Sequence, residues 1–411
     1  MKVKFFTLGC KVNQYETQAL KEEFLRCACV VTKDKEADIY VINTCTVTSR
    51  ADRKSKEYIL KAKKENPRAK VAVCGCLAQL NKSFLEKLGV DYIIPQEDKQ
   101  SLVDIVLKGN VNHKDIWSLG ISRFSNARVF VKVQDGCDSF CSFCKIPYIR
   151  GRSVSRRKKE ILAEIRRLSS HHREVVLCGI NLALYGKDLG EDAGLDNLVE
   201  DILRIDSLQR VRLSSLQADL ISDRLISLFS HPKLCPHLHL PFQSGDDFIL
   251  SEMNKPETVS LYEDIVRKAR SNQAHLALSC DIMVGFPRET QESFRKTVDF
   301  LKRVKPMRMH IFTFSARQET KFANIKSRNS KVVHERFNLL RDLAVRLSFQ
   351  YHKKFLGKTL YMVAEEKKSG YVSGYTQNYI KVYVKGELSL GQIYPVTITE
   401  VGKDRVLADI S

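Results

Sequence analysis

The sequence predicts an α/β protein in three parts: an N-terminal parallel α/β domain, a central partial (β/α)6 barrel and a small C-terminal β-barrel. Three observations carry that expectation. The 411 residues exceed what one ordinary core organises, which calls for two or three domains. Short apolar runs alternate with charged segments of helical period from Lys2 to about Phe355. After Gly357 the texture changes to β-rich runs broken by glycines and polar turns.

In chain order, KVKFFTLG, IYVINT, VAVCG and DYIIP read as strands. NQYETQALKEEFL, SRADRKSKEYILKAKKE and NKSFLEKLG read as the helices between them, so residues 1–115 are expected to form the first domain. GNVNHKDIWSLGISRFSN reads as a linker and holds the only tryptophan. RVFVKV, EVVLCGI, RVRLSS, HLHLPF, LALSCDIMVGF and RMHIFTF are six further strand candidates, with helical segments such as KKEILAEIRRLSS and QESFRKTVDFLKRV among them. Six such units predict the partial barrel, placed at 123–355 and ending in a long charged helix from about Lys331. TLYMVAEE, YIKVYVKG and YPVTITEVG supply the tail barrel at 356–411.

With 43% hydrophobic and 28% charged residues the composition is that of a globular protein, and no apolar run approaches bilayer-spanning length. The start MKVKFFTLGC reads as a first strand and not a signal peptide, so a cytoplasmic location and no membrane partner are expected. Cytosolic thiols are reduced, which argues against reading the twelve cysteines as disulfides. The net charge of +20 favours a polyanionic partner, with RNA foremost. That charge is concentrated: Lys145 to Arg173 carries ten Lys or Arg against two Glu, whereas the tail from Gly357 carries seven against six acids. Arg150, Arg152, Arg156, Arg157, Lys158 and Lys159 are therefore the candidate RNA contacts.

The stretch GCDSFCSFCKIPYIRGR sets Cys137, Cys141 and Cys144 within eight residues, directly after the first barrel strand candidate. Zinc usually takes four ligands in paired steps. Three clustered thiolates instead suit a 4Fe-4S cluster that keeps one iron open for a substrate or cofactor. The first domain holds a second set: Cys10, Cys45 and Cys76 each follow one of three strands, whose ends share one rim in a parallel sheet. That geometry suits a second cluster. Cys27, Cys29, Cys74, Cys178, Cys235 and Cys280 lack such an arrangement and are expected in the core.

CDSFCSFC, with Phe143 before the last cysteine, resembles the signature of radical S-adenosylmethionine (SAM) enzymes. The resemblance implies that the open iron chelates SAM and that electron transfer releases a 5′-deoxyadenosyl radical. It further implies SAM contacts from Phe143, from Gly179, Ile180 and Asn181, from Ser214 and Ser215, from Gln243, and from Asp281 and Gly285 of DIMVGFP. TLGCKVNQYET, NTCTVTSRAD, GCLAQ and HLHLPFQSG together resemble the methylthiotransferases across nearly the whole chain. What that implies is a TRAM-type tail that holds tRNA, two 4Fe-4S clusters, an electron donor such as a flavodoxin or ferredoxin, and methylthiolation of adenine C2. The GCKVNQYET start resembles the group that modifies N6-threonylcarbamoyladenosine immediately 3′ of the anticodon. Isopentenyladenosine tRNA and a ribosomal-protein aspartate are the alternative substrates, and an iron-sulfur RNA-binding protein without turnover is the alternative class. Lys255 to Glu257 and Gln318 to Glu319 depart from the family's usual loops.

Overall fold

A computed structural model describes residues 1–111, 113–190, 193–325 and 329–411; Asn112 of the expected linker lies outside them. The chain divides into two compact units: Met1–Ser122 with Asp135–Asp138 and Cys144–Arg152, and Arg123–Gln134 with Ser139–Phe143 and Ser153–Ser411.

The first unit opens with β1 (Lys2–Thr7), α1 (Lys11–Arg26), β2 (Val30–Thr32), β3 (Ile39–Thr44) and α2 (Ser49–Glu65). It continues through β4 (Lys70–Gly75), α3 (Cys76–Leu80), α4 (Lys82–Lys87), β5 (Tyr92–Ile93) and α5 (Leu102–Lys108). The five strands form one parallel sheet in the order β2-β1-β3-β4-β5. Alternate residues of β3 explain why it sits at the centre. Ile39 and Val41 pack with Leu20, Phe24 and Leu102 on one face, and Tyr40 and Ile42 pack with Ile59, Leu77 and Leu85 on the other. All six β3 residues are buried, as expected for a strand covered on both faces. The edge strand β2 was not among the expected elements; three residues are too few to show a period.

The second unit carries β6 (Arg128–Lys132), and β7 (Gln134–Asp135) runs into the first unit, which also holds α6 (Ile146–Arg150). Next come β8 (Val154–Ser155), α7 (Lys158–Ser169), β9 (Glu174–Cys178), α8 (Leu195–Leu203), β10 (Arg210–Leu213) and α9 (Asp223–Ser227). After these follow β11 (His237–Gln243), α10 (Asp247–Glu252), α11 (Val259–Asn272), β12 (Ala277–Val284), α12 (Gln291–Val304), β13 (Arg308–Thr313) and α13 (Ser330–Lys353). The six barrel strands are parallel but lie in two three-stranded sheets, β10-β9-β6 and β11-β12-β13. Pro236 precedes β11 and Pro241 lies at its bulge against β12, while Leu216 N donates to the His239 carbonyl at 3.0 Å across the seam on the other side.

Strands β14 (Thr359–Lys368), β15 (Tyr371–Thr376), β16 (Lys381–Lys385), β17 (Ile393–Val401) and β18 (Val406–Ile410) close into a barrel in the order β14-β15-β16-β18-β17, with β16 and β18 parallel. Its core is continuous with Ala277 and Met307 at the start of β12 and just before β13. Polar groups fix it there. Glu174, fully buried, accepts from Arg210 Nε at 2.5 Å and Arg212 Nε at 2.8 Å. The same arginines reach the tail backbone: Arg210 donates to the carbonyls of Tyr361 and Tyr375, and Arg212 to those of Thr376 and Gln377. Arg128 pairs with Glu365.

Candidate active site

Cys10 follows β1, Cys45 follows β3 and Cys76 opens α3 directly after β4, so three adjacent parallel strands present them at the same sheet edge. Backbone geometry at this edge is specialised. Gly9 has φ +94°, and a Cβ there would stand 2.9 Å from Cys45 Cβ and 3.2 Å from its sulfur. Gly75 has φ +90°, and a Cβ would meet the Thr44 carbonyl at 2.5 Å. Only glycine supplies these conformations and leaves the sulfurs room. Asn13 then ties the loops together, donating from Nδ2 to the Leu8 carbonyl at 2.8 Å and the Thr44 carbonyl at 3.0 Å. Thr44 Oγ1 donates to the Cys74 carbonyl and accepts from Leu77 N, and Ser55 Oγ donates to the Cys45 carbonyl.

Cys45 and Cys76 are buried and Cys10 is exposed. Burial, reinforced by the neighbouring Cys76 and Cys10 sulfurs, pushes the Cys45 thiol up to about 12. Burial also raises Cys76, against the pull of Arg150 and Lys99. None of the twelve cysteines is in a disulfide. Three convergent thiols in a glycine-lined cradle fit thiolate ligation of a cluster, which would displace their protons.

The second set lies in a loop shaped by positive-φ residues. Gly136 has φ +69° and a Cβ there would collide with the Arg152 carbonyl, while Phe140 sits at φ +42°. Cys137, Cys141 and Cys144 are all partly buried. Ser142, between the last two, donates to the carbonyls of Met253 at 2.9 Å and Glu252 at 2.8 Å. Phe143 packs on Ile249, Met253, Phe286 and Phe322.

Polar side chains link this loop to the strand ends. Ser139 Oγ donates to Gln217 Oε1 at 2.7 Å, and Asn181 Nδ2 donates to that same oxygen at 2.6 Å. Asn181 N donates to Gln134 Oε1 at 3.0 Å. Among the expected SAM contacts, Asn181 thus lies in the network, and Gly179 is required by it, since a Cβ would stand 2.6 Å from Gln134 Oε1. Ile180 lies beside them and is partly buried. Ser214 Oγ is buried with no hydrogen-bond partner among the described residues, as a group awaiting a ligand would be. Ser215 follows it and is partly buried. Gln243 has φ +64° beside the β11 bulge, a strained conformation for a residue with a side chain.

Asp281 is engaged with protein: its Oδ2 lies 3.3 Å from His239 Nε2. Gly285 has a structural reason of its own, with φ +77° and a Cβ position 2.8 Å from Val333. Gln134 and Gln217 were missed because a lone glutamine carries no sequence signal; only the fold brings them to the loop.

Two expected RNA contacts are corrected. Arg150 is buried and bound to Asp135, Glu16 and Asn13, and Arg156 is buried against Glu164 at 2.5 Å. Each satisfies an internal carboxylate, so neither guanidinium is presented to phosphate. Arg152, Arg157, Lys158 and Lys159 are exposed, with Arg152 paired to Asp138 and Lys158 to Asp201. The six cysteines not assigned to a cluster are buried, except Cys27, which is partly so.

Comparison with known proteins agrees with this geometry. The model of the uncharacterized protein family UPF0004 matches residues 2–94, and that of the radical SAM superfamily matches residues 131–301. The chain is 36% identical over 417 residues to threonylcarbamoyladenosine tRNA methylthiotransferase MtaB of Aquifex aeolicus, across 97% of this chain and 100% of that one. It is 30% identical over 426 residues to tRNA-2-methylthio-N(6)-dimethylallyladenosine synthase of Pelotomaculum thermopropionicum, across 97% and 95%. Among solved structures it matches a radical S-adenosylmethionine methyltransferase, TsrM, from Kitasatospora setae with cobalamin and a 4Fe-4S cluster bound. That match has a TM-score of 0.57 at 13% identity over 76% of this chain and 74% of that one, a likeness of fold alone. Among the described residues no helix is long and apolar enough to cross a membrane.

Proposed function

The chain belongs to the radical SAM methylthiotransferase family, and from that membership we propose that it adds a methylthio group to C2 of N6-threonylcarbamoyladenosine in tRNA, immediately 3′ of the anticodon. The observation that carries the substrate is the full-length likeness to relatives of that name. We assign residues 1–115 to the N-terminal cluster domain, 123–355 to the radical SAM core and 356–411 to a TRAM-like barrel for RNA.

Cys10, Cys45 and Cys76 would hold one 4Fe-4S cluster, and Cys137, Cys141 and Cys144 the other. When bound, these clusters and SAM would supply the radical and methyl-transfer chemistry. The chain's own share is to bind, orient and exclude water. Ser214 offers an unused hydroxyl toward SAM, and Asn181 with Gln217 fixes the loop that carries Cys141. Phe143, Phe286, Phe314 and Phe322 make a dry wall beside that loop, where a reactive carbon radical is protected from side reactions. Arg152, Arg157, Lys158 and Lys159 are the remaining candidate phosphate contacts. An electron donor such as a flavodoxin or ferredoxin and a cytoplasmic location go with this reading.

The test uses reconstituted, reduced enzyme with SAM and nucleoside mass spectrometry of the tRNA. A transcript bearing threonylcarbamoyladenosine gains a methylthio group, and the same transcript with plain adenosine does not. Modification of dimethylallylated tRNA in its place would reassign the substrate and keep the reaction. No 5′-deoxyadenosine under any condition would remove the reaction itself.

A further inference from the structure

The basic residue that leaves the RNA surface takes up a different place. Arg150 sits on α6, six residues after Cys144, and its side chain is 1% exposed. Its Nη1 donates to both Asp135 oxygens at 2.8 Å and to Glu16 Oε1 at 3.0 Å. Its Nη2 donates to Asn13 Oδ1 at 2.7 Å and Glu16 Oε2 at 3.2 Å. Glu16 also receives Lys99 at 2.6 Å. Two cations therefore meet two carboxylates in a buried, balanced group.

The partners of this group matter. Asn13 is the residue whose amide binds the carbonyls of Leu8 and Thr44, next to Cys10 and Cys45. Asp135 lies two residues before Cys137. Arg150 thus joins the frame of the first cysteine set to the segments that flank the second. One donor is left over: Nε is buried and has no partner among the described residues. A buried cation braced against the loops that carry sulfur ligands is the kind of group that tunes an iron-sulfur centre.

We propose that Arg150 is a positioning residue for the Cys10, Cys45 and Cys76 cluster, bracing their loops through Asn13 and Glu16 and setting a buried positive charge behind them so that the cluster's reduction potential is held up. The inference rests on the reading that this set holds a cluster. Loss of the guanidinium leaves Glu16 and Asp135 with Lys99 alone, a net negative charge that disfavours adding an electron nearby.

The test is an EPR-monitored redox titration of the full chain carrying Cys137→Ala, Cys141→Ala and Cys144→Ala, so that one cluster is read. Arg150→Lys keeps the charge and loses the fork and the Nε–H; Arg150→Met loses both. The expected result is a lower midpoint potential in Arg150→Lys, lower still in Arg150→Met, with altered g-values. Iron loss from this cluster in either variant, with circular dichroism unchanged, equally supports the bracing role. If Arg150→Met does not fold, Arg150→Lys decides: wild-type iron content, potential and g-values in that variant overturn the proposal. Absence of iron in the parent chain would instead refute the cluster reading on which it rests.

Discussion

Ser214 and Glu174 are both buried polar residues of the second unit, and they sit at opposite extremes of satisfaction. The Ser214 hydroxyl has no partner among the described residues. Removing it breaks no internal hydrogen bond, so Ser214→Ala should leave the melting temperature unchanged while weakening SAM binding by roughly 3- to 10-fold, the worth of about 0.5–1.5 kcal/mol. Isothermal titration with SAM alongside thermal melts separates the two effects. Glu174, by contrast, is surrounded by Arg210, Arg212 and Arg128, which hold its carboxyl at about 2 against burial that would raise it. A carboxyl depressed in the folded state stabilises above its unfolded value near 4.5 and loses that contribution as pH falls toward 2. Glu174→Gln should therefore cost ~3–5 kcal/mol near neutral pH by stranding buried arginines. In urea titrations the gap between wild type and variant should stay level from neutral pH down to about 5, then narrow as Glu174 is protonated.

The strands of the N-terminal sheet were legible because their apolar runs are short, bounded and spaced by helical segments. Their shared direction makes the three cysteines readable as one rim from the sequence. What the period could not show is how tightly that rim is built. Gly9 and Gly75 look like ordinary turn residues in TLGCK and AVCGC, yet each leaves room that a methyl group would fill. Gly9→Ala should displace Cys45, and iron in the reconstituted enzyme should fall from about eight to about four per chain. Methylthiolation should stop while 5′-deoxyadenosine still forms, measured by chromatography of the same reaction. The seam between β10 and β11 was equally hidden, since six strand-like runs say nothing about which neighbours pair. Gln134, Gln217 and the bond from Ser139 to Gln217 belong to that class of fact: contacts between residues as many as 78 positions apart leave no local pattern.

Across the molecule, the excess of positive charge pointed to a polyanion, but the count alone misassigned its members. In the run Arg156 to Lys159 the first residue turns inward to Glu164 and the other three face solvent. Neutralising Arg157, Lys158 and Lys159 together should weaken tRNA binding and lower the slope of log affinity against log salt by up to about three phosphate contacts. Arg156→Gln should act differently, destabilising the fold with the salt slope unchanged; filter binding at several salt concentrations and urea melts tell these apart. Fold class was readable from spacing and reaction class from motifs that resemble a known family, whereas the direction a given arginine points depends on which carboxylate the fold brings near it. The grip on the C-terminal barrel illustrates a freedom of the opposite kind. Arg210 and Arg212 hold peptide oxygens at Tyr361, Tyr375, Thr376 and Gln377, and a peptide oxygen is the same whatever side chain it accompanies. The mount is thus partly blind to the cargo it carries: the barrel's outward face is open to drift without the strands that hold it having to change in step.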